Sequence, residues 1–126
     1  MSDAVTSQTL FDGTKKAILK FTNISDSSGE STVKKVDVSA LVGAPDKVAI
    51  NKIWFVTGGM SVQMLWDANA NVLAHAIAAD QNGFLDFSSF GGIKNNASTG
   101  VTGDLLFTTV GHGAGDSYSI ILEVTK

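Results

Sequence analysis

Residues 116–124, Asp-Ser-Tyr-Ser-Ile-Ile-Leu-Glu-Val, decide the fold. An extended chain sends successive side chains to opposite faces, so Tyr118, Ile120, Leu122 and Val124 share one side. A 3.6-residue helical period would scatter those four residues around a cylinder. A strand with one apolar face needs neighbours to pair with and a second layer to cover that face.

Working outward, the same two-residue period recurs along the chain. Between Thr14 and Ile24, Ala17, Leu19 and Phe21 fall on one face, while Lys16, Lys20 and Thr22 fall on the other with Ile18. From Lys47 to Thr57 the period runs through Val48, Ile50, Trp54 and Val56, breaks at Gly58-Gly59, and resumes from Met60 through Val62, Met64 and Trp66, which reads as a central hairpin. Thr32–Val38, Val72–Ile77 and Asp104–Val110 supply further strands, with Leu73, His75 and Ile77 facing away from Ala74 and Ala76.

Turn formers separate these segments: Asp12-Gly13, the polar loop 25–31, Asp67–Asn71, Asp80–Gly83 and Gly111–Gly115. Ser39 caps a single turn over Ala40–Val42, with Gly43 as its left-handed stop and Pro45 beyond. About eight short strands and at most one helical turn near residues 39–43 predict an all-β, two-sheet antiparallel sandwich, jelly-roll-like, rather than an α/β fold. Residues 1–12 read as an extended N-terminal arm and residues 13–126 as a single sandwich domain.

Composition sets the outer limits. With 126 residues, 44% of them hydrophobic, the chain suffices for one core and for little else. No run approaches the roughly 18 apolar residues of a membrane span. The start, Met1-Ser2-Asp3-Ala4, has neither the basic region nor the apolar stretch of a secretory signal, so the chain is expected to stay in the cytosol or to leave by another route such as lysis. Zero cysteines exclude disulfides and thiolate metal sites. All nine bases are lysine against 12 acids, a net charge of −3, which removes the arginine fork and sets the overall sign against nucleic acid.

The chemistry-bearing residues are better explained by structure. His75 and His112 are the only histidines, too few for a zinc site, and His75 reads as a half-buried strand residue. Asp67-Ala-Asn-Ala-Asn71 opens like a calcium loop, but Val72 stands where the sharp-turn glycine belongs and Ala78 where the bidentate glutamate belongs. No Gly-x-Ser-x-Gly elbow occurs, and Asp67, Asp80, Asp86, Asp104 and Asp116 mostly flank turns. The glycine pairs and the run 111–115 lack the context of a phosphate cradle. Trp54 and Trp66 sit at alternating strand positions, where core packing is the first expectation. No catalytic residue, cofactor site or metal site is therefore expected. The aromatic cluster Phe84, Phe87 and Phe90, with Leu85 and Ile93, has two readings: an exposed protein interface, or a satellite core beneath the loop 94–103. With Val5, Leu10 and Phe11 of the arm, Phe84, Phe87, Phe90 and Ile93 form the expected interface set.

Three stretches in the first half of the chain, Val36–Leu41, Ile53-Trp54-Phe55 and Val62–Ala68, resemble small structural proteins of tailed bacteriophages, especially those of marine and cyanobacterial hosts. So do Phe84–Phe87, Phe90–Ile93, Asn95-Asn96-Ala97, Thr102-Gly103-Asp104 and Gly115–Tyr118, so that the likeness covers most of residues 33–124. It implies a virion component made in the host cytoplasm: a decoration or cement protein on the capsid surface, binding the major capsid protein or other virion proteins as a dimer or trimer, or else a tail or neck component. It brings no catalytic residues. From the residues alone, tryptophans on a sandwich keep a carbohydrate-binding module in view as the rival.

Overall fold

The structure, a computed structural model, describes residues 4–25, 30–43, 45–97, 99–111 and 113–126. Nine strands occur among them: β1 (Ala4–Asp12), β2 (Lys16–Ile24), β3 (Val33–Val36), β4 (Ala49–Gly58), β5 (Ser61–Trp66), β6 (Val72–Ile77), β7 (Asn82–Asp86), β8 (Leu105–Val110) and β9 (Ser117–Thr125). They form a five-stranded sheet, β1-β2-β9-β4-β7, and a four-stranded sheet, β3-β8-β5-β6, with every pairing antiparallel. The expected two-sheet antiparallel sandwich is the architecture observed.

With β1 set aside, the pairing is nested: β2 with β9, β3 with β8, β4 with β7, and β5 with β6. That is the connectivity of a jelly roll, a long double strand wrapped so that its halves fall into two facing sheets. The β4–β9 and β5–β8 pairings then close each sheet across the middle.

The strands that alternate without interruption fold as their pattern dictates. On β9, Tyr118, Ile120, Leu122 and Val124 are all buried, and on β2 so are Ala17, Leu19 and Phe21. On the opposing sheet Val62, Met64, Trp66, Leu105 and Phe107 fill the space between layers. Phe107 locks the sheets together, meeting Phe21 edge-on at 5.4 Å and Tyr118 at 5.9 Å.

Three expectations about the strands are corrected. The segments around Gly58-Gly59 do not form a hairpin: β4 belongs to the five-stranded sheet and β5 to the other. Gly59, at φ 80°, carries the chain across between layers, and a Cβ there would collide with the Asp116 carboxylate. Second, the alternation on β4 changes phase. Ile50 pairs with Val124 but Lys52 pairs with Glu123, leaving Asn51 as a bulge. Beyond it Ile53 and Thr57 are buried, while Trp54 and Val56 turn outward. Third, a bulge at Ala74 separates Leu73, opposite outward Leu65, from His75, opposite buried Met64, so Leu73 and His75 lie on different faces.

The helical turn spans Val38–Ala40, and its cap is Asp37, whose Oδ1 accepts the Ser39 N–H at 3.0 Å. A second 3₁₀ turn, Ser88–Phe90, was not expected. Residues 4–12, an extended segment ending at the Asp12-Gly13 turn, pair along β2 of the same chain from Ala4↔Ile24 to Asp12↔Ala17. Residues 1–3 and most of the polar loop, 26–29, lie outside the described residues.

Candidate functional site

The five aspartates that mostly flank turns, Asp67, Asp80, Asp86, Asp104 and Asp116, are each engaged in hydrogen bonds. Asp80 Oδ1 accepts the Gly59 N–H at 2.8 Å, Asp116 Oδ2 the Gly113 N–H at 2.7 Å, and Asp67 Oδ2 the Thr102 hydroxyl at 2.8 Å. Asp86 takes the Ser88 hydroxyl and the Ser88 N–H, which hold its carboxyl below the usual range. Asp104 receives the Val38 N–H at 3.0 Å and pairs with Lys34 at 3.0 Å. Asp67–Asn71 is a turn, closed by Asn71 Oδ1 on the Ala68 N–H. His75 is half-buried with its ring edge toward Phe87 at 5.8 Å, and burial pushes its pKa down. His112 lies outside the described residues. Among the described residues no three potential metal ligands gather.

One polar cluster was invisible in the sequence. Glu30, on the β2–β3 connection, reaches into the sandwich and pairs with Lys35 at 2.5 Å, both side chains being buried. Its other oxygen accepts Asn23 Nδ2 at 2.8 Å and the Tyr118 hydroxyl at 2.6 Å. The Glu30 backbone exchanges further bonds with Thr109 on β8. One residue thus ties β2, β3 and β9 to β8, across both layers. A buried ion pair is tolerated when further hydrogen bonds satisfy its members in this way.

The feature that stands out for recognition is the outer face of the five-stranded sheet. The register aligns Gln8, Lys20, Ile121, Trp54 and Phe84 in one row across all five strands. Trp54 stacks on Phe84 at 5.1 Å and 25°. Val56, 56% exposed, follows Trp54 on the same face, and Ile18 and Ile24 continue the apolar character on β2. The adjoining row is charged: Glu123 takes Asn51 Nδ2 at 2.7 Å, Lys16 at 3.3 Å and Lys52 at 3.8 Å. Burial pushes the Glu123 carboxyl up, but Asn51, Lys16 and Lys52 together outweigh it and hold the pKa below the usual range.

The expected interface residues divide between several places. Val5, Leu10 and Phe11 are exposed on β1, and Phe84 on the outer face. Phe90 is the most exposed large apolar residue described, at 65%, and rests against Phe87 at 6.0 Å. Phe87, Leu85 and Ile93 pack on the core as a satellite layer, with Ile93 bridging to Ile50. The cluster is therefore part exposed surface and part core. Trp66 is fully buried as expected, whereas Trp54 is not. Compared with known proteins, the chain matches no protein family and no curated protein.

Proposed function

We propose that this chain is a structural protein of a bacteriophage particle, a decoration or cement protein that binds the capsid lattice and stabilises it through protein–protein contacts. The resemblance of residues 33–124 supplies the class. The observation that carries the reading is the apolar outer face around Trp54, Val56 and Phe84, all exposed, with half-buried Ile121 beside them: a contiguous exposed apolar patch of this kind suits a surface that a protein partner covers. A tail or neck component is the nearer variant. Mixing the purified chain with undecorated capsids should give saturable binding and raise the temperature at which the shells open, and Val56→Lys should weaken both. Absence of saturable binding removes the cement role.

A second reading rests on Trp54 itself. An exposed tryptophan beside Asn82 and Ser119 on the outer face of the sheet is a surface on which a sugar ring stacks, which favours a glycan-binding adhesion module. Because Trp66 is sealed in the core, any shift of tryptophan emission on adding a host polysaccharide reports Trp54 alone. Unchanged emission across a glycan panel rejects this reading and leaves the first.

A further inference from the structure

Four strands end the two sheets: β1 and β7 in one, β3 and β6 in the other. A free edge displays unpaired N–H and C=O groups, so soluble proteins shorten, bend or charge their edges. Three of these four are protected. Strand β3 has four residues, two of them lysine, with a register shift between Lys34 and Val36. Strand β7 is five residues long, with Gly83 near its start and Asp86 at its end. Strand β6 is interrupted by the bulge at Ala74.

Strand β1 is the exception. It is nine residues long, and Ala4–Phe11, Ala-Val-Thr-Ser-Gln-Thr-Leu-Phe, contains no charge and no proline. Its pairing with β2 is unbroken from Ala4 to Thr9 before the shift at Leu10. Residues 5–11 are all exposed, on both faces. The inner face of β1, with Ser7 and Thr9, lines a groove whose far wall is the end of β3 and the 3₁₀ turn after it, at Val36 and Leu41.

We infer that β1 is a dimerisation edge, on which β1 of a second copy pairs antiparallel through Ala4–Thr9 and joins two five-stranded sheets into one continuous sheet across a two-fold axis. The occupant is a second copy because the edge is complementary to itself. Antiparallel pairing of this segment with itself opposes neutral residues to neutral residues throughout, with no like charges to repel, and each copy satisfies the other's free backbone groups. On β3, by contrast, Lys34 stands opposite its own twin when that strand meets its own copy. The inference assigns an interface to the oligomer named above, and it stands or falls independently of binding to a capsid.

The test is the solution mass of the full chain by light scattering at micromolar and millimolar concentrations, alongside the double variant Val5→Lys/Gln8→Lys. The expected result is twice the 13.1 kDa chain mass for the wild type and the single chain mass for the variant, with unchanged thermal unfolding at low concentration showing that the variant still folds. Since the chain has no cysteine, Ser7→Cys should also cross-link to itself on mild oxidation while Asn82→Cys on β7 does not. A wild type that stays monomeric at both concentrations overturns the inference, as does a dimer that survives both lysines.

Discussion

Strands β9 and β1 are both nine residues long and sit in the same sheet, yet they differ in almost everything else. Strand β9 is paired along its whole length on both sides, and its four inward side chains are sealed. Strand β1 is paired on one side, and residues 5–11 remain open to solvent. Pairing by itself therefore does not define the core. Hydrogen bonds hold β1 in register, while burial makes β9 indispensable, since the net gain per backbone bond is small beside that of a sealed leucine or isoleucine.

The contrast is broken most forcefully from the β9 side. Leu122→Ala removes a fully buried side chain facing Ile53, and should cost about 2–5 kcal/mol in urea unfolding. A loss under about 1 kcal/mol would mean that the centre of the sheet relaxes around the cavity, contrary to a close-packed core. A middle-sized effect comes from the acids of the two strands. Glu123 on β9 is held below its ordinary 4.5, and Asp12 at the end of β1 below its ordinary 3.8, chiefly by the hydrogen bond from Lys126. A lowered folded pKa gives stability that is fully present above the ordinary value and is lost as pH falls through the folded one. Acid should therefore weaken the fold below about pH 4.5, and Glu123→Gln should flatten that limb by at most one proton, about 1.4 kcal/mol per pH unit. An identical acid limb in the variant would show that Glu123 keeps its ordinary pKa. The smallest effect belongs to β1: Leu10→Ser, in dilute protein, should change stability by no more than about 0.5 kcal/mol. A larger loss would show that β1 is buried in the folded chain.

The same contrast explains what could be read from the sequence. Strands β2 and β9 were legible because nothing interrupts their period, and they sufficed for the two-layer architecture. Strands β4 and β6 were misread from Asn51 and Ala74 onward, because a bulge adds one residue without any distinctive side chain to mark it. The outward turn of Trp54, and with it most of the candidate surface, follows from that single extra residue. Gly58-Gly59 looks the same in sequence whether the chain doubles back within a sheet or crosses to the other. The Glu30–Tyr118 bond joins residues 88 positions apart, and no local pattern announces it. The phenylalanines of 84–90 share a composition but not a fate, since the β4–β7 register points Phe84 outward and Leu85 inward.

The nested pairing also orders events in time. Strand β9 lies between β2 and β4 in space but follows both, and every other strand, in the chain. During synthesis the larger sheet can exist only as two separate ribbons, β1 with β2 and β4 with β7, each with an open side awaiting the strand that emerges last. Folding of the larger sheet thus waits on contacts between residues distant in the chain, which makes it slow.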